Sequence, residues 1–112
     1  MNVADTALEI NIAQEFTPTP GPRFIREGKF SGEQFREEVL KERFVQALQE
    51  SAILNIDLDG GYGYAPSFLE EAFGGLAREY GPAPVLKTLR FKSDEEPLLI
   101  RDIDGYIRKA GS

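Results

Sequence analysis

Between Ile53 and Tyr80 the chain passes through a short β-rich segment, a glycine-rich loop and a helical stretch, and this unit limits the fold more than any other feature. Ala52-Ile53-Leu54-Asn55-Ile56-Asp57-Leu58 is short and apolar, the pattern of a central strand. Asp59-Gly60-Gly61-Tyr62-Gly63-Tyr64-Ala65-Pro66 is a loop. Ser67-Phe68-Leu69-Glu70 then has the Ser-x-x-Glu spacing of a capping box and opens a helix to about Tyr80. Gly81-Pro82-Ala83-Pro84 stops that helix. The apolar sides of a strand and the helix that follows it have to be buried, which calls for a sheet with helices packed on it.

The rest of the chain fits this plan. Leu8-Glu9-Ile10-Asn11-Ile12 alternates apolar and polar residues and reads as a half-buried strand. Thr17-Pro18-Thr19-Pro20-Gly21-Pro22 is a loop, and Arg23 to Glu27 is expected to form a second short strand ended by Gly28. Ser31-Gly32-Glu33-Gln34 is a capping box for a helix to about Glu50. Leu40, Phe44, Ala47 and Leu48 share one face of it, while Phe35 and Val39 lie on another, so the helix is either buried on two sides or bent. Val85 to Phe91 reads as a strand. Asp94-Glu95-Glu96-Pro97 starts a last helix, striped by Leu99, Ile100, Ile103, Tyr106 and Ile107 and closed by Arg108 and Lys109. Strands alternating with helices imply a mixed or parallel sheet.

The length of 112 residues suits a single domain over residues 1–112, with a loosely ordered N-terminus at about residues 1–6. With 0 Cys and 0 His, disulfides, thiolate chemistry and the commonest general base and metal ligand are excluded, so no metal or cofactor is expected. The balance of 13 basic and 19 acidic residues gives a net charge of −6, which argues against nucleic acid as a partner. Met1-Asn2-Val3-Ala4-Asp5 has neither the basic start nor the apolar segment of a signal peptide, and no apolar run is long enough for a bilayer. The cytoplasm is the expected compartment, with no membrane partner.

Several residues offer a site. Gly61-Tyr62-Gly63 supplies a G-x-G, but Pro66 takes the third glycine position and Phe91-Lys92 ends the next strand without the acid a ribose needs, so dinucleotide binding is rejected. A P-loop is absent, since no Gly-Lys-Ser/Thr occurs. Ser67 is placed either to carry a phosphate near the helix dipole or simply to cap the helix, and Glu70 counts against the phosphate. Asp57 and Asp59 face one side of a strand and could approach a cation, but lack further oxygen ligands; turn formation and capping suit them better. In the helix from Ser67, Glu71, Gly74, Gly75 and Arg78 lie opposite an apolar face. Two adjacent helical glycines cost about 1 kcal/mol each, which calls for close packing within the domain or for a bare patch open to a partner. Tyr62 and Tyr64 could anchor a partner or fold over the core edge.

Ile53 to Gly60, followed by Ser67-Phe68-Leu69-Glu70-Glu71-Ala72-Phe73-Gly74-Gly75-Leu76, resembles the signature of the STAS-like domain family of unknown function, and Phe30-Ser31-Gly32-Glu33-Gln34-Phe35-Arg36 is similar to that family's first helix start. The resemblance extends over roughly residues 8 to 92. It implies a small bacterial or phage-associated α/β protein with a STAS-like fold, a mixed sheet with helices packed mainly on one face. The related anti-sigma-factor antagonists bind a histidine-kinase-like ATPase that phosphorylates a serine at the start of a helix after a central strand. Ser67 falls at the similar position, though Ala65-Pro66 before it and Phe68-Leu69 after it depart from the antagonists' residues.

The expected function is a non-enzymatic regulatory protein–protein interaction module. Its docking surface would be Tyr62, Tyr64, Ser67, Glu71, Gly74, Gly75 and Arg78, with Ser67 as the phosphoacceptor. The alternative is a small-ligand sensor, with a nucleotide or anion held by the loop and helix start around Ser67. A stand-alone enzyme is not expected, because no nucleophile or oxyanion partner is placed by motif.

Overall fold

The computed structural model describes residues 8–110, and the expected loose N-terminus at residues 1–6 lies outside the described residues. Strand β1 (Glu9–Asn11) turns directly into a short helix α1 (Ile12–Glu15), whose N-cap Asn11 accepts a hydrogen bond from the Gln14 N–H. A single 3-10 turn at Ile25–Glu27 takes the place of the strand expected at Arg23 to Glu27. The Glu27 and Glu33 carboxylates accept the backbone N–H groups of Phe24 and Ile25, so this segment satisfies its donors locally.

Helix α2 (residues 32–50) starts at the capping box read from sequence, with the Ser31 hydroxyl accepting from the Gln34 N–H at 2.9 Å. Its second turn, Arg36–Leu40, is a π turn. This resolves the two-sided apolar pattern: the wider turn brings Phe35 and Leu40, five residues apart, onto the face continued by Phe44 and Ala47, and all four are buried. Strand β2 (Leu54–Asp57) follows, and then helix α3 (residues 66–80), which has its own π turn at Glu70–Gly74.

Pro82 does more than stop α3. It occupies the first turn of helix α4 (Pro82–Thr88), where its fixed φ is favourable and its missing N–H costs nothing. The strand expected from Val85 is therefore shortened to β3 (Leu89–Lys92). Helix α5 (Leu98–Lys109) buries Ile103 and Ile107.

The three strands lie in the order β1-β2-β3, and both pairings are parallel. The expected mixed sheet is corrected: among the described residues no strand runs antiparallel, because helices carry the chain back between successive strands. Ile10, Leu54, Ile56 and Leu89 are buried on one side of the sheet, while Glu9, Asn55 and Arg90 on the other are exposed. The core couples sheet and helices through aromatic contacts: Phe35 lies 6.0 Å from Phe68 and 6.1 Å from Phe73, and Phe73 lies edge-on to Phe91 at 5.1 Å. Burying each such side chain stabilises the fold by about 2–3 kcal/mol before entropy is subtracted.

Candidate functional site

In a parallel sheet the segments leaving the carboxyl ends of the strands gather on one side of the molecule, where open α/β folds bind ligands. Here that side is formed by the residues after Asn11, Leu58 and Lys92. Asp57 accepts the Asp59 N–H through one carboxylate oxygen at 2.9 Å and the Asn11 side-chain amide through the other at 3.3 Å. Asp59 accepts the Glu95 N–H at 3.0 Å and pairs with the Lys92 ammonium at 2.6 Å. These two contacts hold the Asp59 carboxyl below its ordinary pKa. The Glu95 carboxylate in turn accepts the Gly60 N–H at 2.9 Å. Asp57 and Asp59 thus build the turn, as the sequence favoured, with their oxygens committed to the chain itself.

The two loop tyrosines part company. The Tyr64 hydroxyl donates to the Leu58 carbonyl at 2.9 Å, and its ring lies 6.0 Å from Phe68. Burial, with Asp57 and Asp59 close by, pushes its phenol pKa well up. Tyr64 is therefore part of the core edge. Tyr62 is 85% exposed, yet its backbone is fixed by an N–H bond to the Pro18 carbonyl at 2.8 Å. An exposed aromatic side chain on a fixed backbone is the form a binding anchor takes.

Ser67 is the second residue of the helix it was expected to cap. The cap is Ala65, which offers no side-chain acceptor, and Pro66 opens the first turn. The capping box at Ser67–Glu70 is thus corrected: a proline preset for the helix makes the start without it. The Ser67 hydroxyl has no hydrogen-bond partner among the described residues and is half-buried. As an anion cradle the helix start is poor. Pro66 has no N–H, the Phe68 and Leu69 N–H groups turn back to the Ala65 carbonyl, and Gly60 already serves a carboxylate.

The bare glycine face is the largest correction. Gly74 and Gly75 are buried, beneath side chains of the same chain. A Cβ on Gly75 would overlap the Arg36 guanidinium, and one on Gly74 would come within 2.8 Å of the Glu70 carboxylate. Close internal packing explains the pair. Arg36 crosses from α2 over Gly75 and donates to the Glu71 carbonyl at 2.6 Å and to its carboxylate at 2.7 Å. Glu71 itself is 8% exposed, too deep to meet a partner. Arg78 is at the surface but is tied to Glu70 at 2.6 Å, a contact that lowers the Glu70 pKa and is helped by Arg23. Of the expected docking residues, Tyr62 and Ser67 lie at the carboxyl ends of the strands, Glu71 and Gly75 are buried at the joint with α2, Gly74 is buried beneath the Glu70 side chain, and Arg78 lies at the surface of α3.

Sequence reasoning missed Arg23 and Arg36, whose partners Glu70 and Glu71 lie 47 and 35 residues away. No short spacing announces such pairs. It also missed that Ile25 and Phe30 stay exposed in a loop carrying Arg23, Arg26 and Lys29; the only local signal was the basic composition of that stretch. Among the described residues no helix is long and apolar enough to cross a membrane.

A family model described as a STAS-like domain of unknown function matches residues 31–99, from the α2 cap to the first turn of α5. Strand β1 lies outside the matched span, which starts later than the similarity read from the sequence. No curated protein and no solved structure matches the chain.

Proposed function

Since this chain belongs to the STAS-like domain family of unknown function, we propose that it is a non-enzymatic regulatory protein–protein interaction module of the cytoplasm. The observation that carries this reading is Tyr62: an exposed ring on a backbone pinned to Pro18, beside the ends of all three strands. The docking surface is accordingly the loop from Tyr62 to Ser67, without the glycine side of α3. The absence of His and Cys supports a binding role over a catalytic one.

The partner proposed is a histidine-kinase-like ATPase, with phosphorylation of Ser67 as the switch. In support, the Ser67 hydroxyl is uncommitted in the first turn of α3, where a phosphate gains from the helix dipole. Glu70 stands one turn on and would repel it, competing for Arg23. The phosphate would thus disturb the ion pairs joining this helix to the Arg23 loop, a route by which modification of one residue alters the docking loop.

The test is titration calorimetry with a purified histidine-kinase-like ATPase encoded beside the chain. Tyr62→Ala is expected to weaken binding at least about tenfold while leaving the melting temperature unchanged. Absence of binding by the unaltered chain, or equal binding by both, contradicts the proposal. Intact mass after incubation with the ATPase and ATP tests the switch separately: an adduct is expected on the unaltered chain and not on Ser67→Ala. Nucleotide or anion sensing is less well supported, because the amides of Gly60, Tyr62, Phe68 and Leu69 are already bonded within the chain and Pro66 has none.

A further inference from the structure

Five polar side chains are buried among the described residues: Thr17, Ser31, Glu71, Thr88 and Ser93. Four of them are hydrogen-bonded within the chain. Thr17 accepts the Thr19 N–H, Ser31 accepts the Gln34 N–H, Glu71 accepts Arg36, and Ser93 donates to the Glu96 carbonyl. Thr88 is the exception: it is 6% exposed, and its hydroxyl has no partner among the described residues. A hydroxyl in such a place is costly to leave unpaired. No buried side-chain oxygen of the described residues is sealed in without a partner, so the Thr88 hydroxyl faces open space. Thr88 lines a cavity of about 450 Å³ at the end of the sheet where β2 and β3 begin, opposite the Tyr62 loop.

The walls of the cavity are mainly apolar: Ala47, Leu48, Ala52 and Ile53 from the end of α2 and the approach to β2, and Ala83 and Pro84 from α4. Leu48 is 42% exposed and Ile53 39%, so large apolar surface is left wet. The carbonyls around it are already spent. Those of Ala47 and Leu48 accept the Ala52 and Ser51 N–H groups, and those of Leu86, Lys87 and Leu89 accept the Arg90 guanidinium. The side chains that remain can donate: the Thr88 and Ser51 hydroxyls and the Lys87 ammonium, which makes no ion pair among the described residues. Glu50, in the last turn of α2, does not line the cavity and accepts the Gln46 amide at 3.1 Å. An occupant complementary to these walls is apolar over most of its surface and carries an accepting, negative group at one end. The volume falls in the range of about 300–1,000 Å³ that small-molecule sites have. We propose that this cavity binds a small amphipathic carboxylate, with its hydrocarbon part between α2 and α4 and its carboxylate on Thr88 and Lys87. Arg90 takes up the carbonyl end of α4, so the anion does not meet bare carbonyls there. The site is separate from the Tyr62 loop, and neither reading depends on the other.

Backbone-amide NMR of the full chain titrated with octanoate to about 5 mM tests it, with octanol and acetate as comparisons. Octanoate is expected to shift the amides of residues 47–53 and 83–88 in a saturable way. Octanol, which has the chain without the charge, is expected to bind at the same place at least about tenfold more weakly, and acetate not to bind. Thr88→Val, which keeps the shape of the side chain, and Lys87→Met are each expected to weaken octanoate about three- to tenfold and to leave octanol unchanged. Ala83→Trp, which fills the cavity from its exposed rim, is expected to abolish the shifts with both. The absence of saturable shifts at these residues, equal affinity for octanoate and octanol, or an octanoate affinity indifferent to both Thr88→Val and Lys87→Met overturns the proposal.

Discussion

Gly74 and Gly75 are adjacent in sequence but differ in what replacing them would disturb. A methyl group at Gly75 displaces Arg36 from a carboxylate it meets in a nearly dry joint, and if Arg36 yields, Glu71 keeps only its longer contacts, to Arg23 at 3.3 Å and Arg78 at 3.7 Å. A methyl group at Gly74 meets the flexible ends of the Glu70 and Arg78 side chains, whose partly exposed ion pair is worth little. Gly75→Ala is therefore expected to cost about 1–3 kcal/mol in urea denaturation, and Gly74→Ala to be neutral or to gain up to about 1 kcal/mol of helix propensity. Equal effects would contradict the joint described here. At Tyr64, burial favours the protonated phenol in the folded state, so its folded pKa stands above the unfolded value of 10.0. That contribution is complete below pH 10.0 and is lost as pH rises beyond it. In an alkaline titration followed by absorbance, the Tyr64 phenolate is expected only as the chain unfolds.

Local signals in the sequence predicted elements well where a single residue type dictates the geometry. The Ser31 box was legible because a serine followed by Gln34 has one favourable local use, and the strand at Leu54 because its flanks are turn residues. Ser67 misled because Pro66 supplies the helix start before any cap is needed. Val85 misled because β-branched, apolar residues suit a strand and a short buried helix equally, and the prolines ahead of it decided the matter. The π turns leave no residue signature, only a phase shift in the apolar pattern, which was visible between Phe35 and Leu40 but not in α3. The joint between α2 and α3 is closest at Gly32, where a Cβ would overlap the Phe68 carbonyl. Backbone gives way less readily than an arginine side chain, so Gly32→Ala is expected to cost about 2 kcal/mol or more, measured by thermal melting. A loss below that of Gly75→Ala would mean that the helices can separate at little cost.

At the scale of the whole molecule, the fold class and the single core were legible from alternation of strands and helices, but the placement of charge was not. Ion pairs spanning tens of residues, such as Arg36–Glu71, and the burial of a face that composition made look open, depend on how helices cross. Ion-paired carboxylates also make stability depend on acid pH. Asp59, bonded by the Glu95 N–H and Lys92, and Glu70, bonded by Arg78, both have folded pKa values below their ordinary 3.8 and 4.5. Their stabilisation is complete above that range and is lost as pH falls through it toward the depressed values. Melting temperature is therefore expected to drop below pH 4.5, and Glu70→Gln to make that drop shallower. The central claim is that the working surface lies where the three strands end, around Tyr62, and not along the outer side of α3. Backbone-amide NMR of the labelled chain during titration with the ATPase proposed as its partner tests this most directly. The largest shifts are expected at residues 60–65 and their flanking segments; shifts confined to the exposed side of α3, around Arg78 and Glu79, would contradict it.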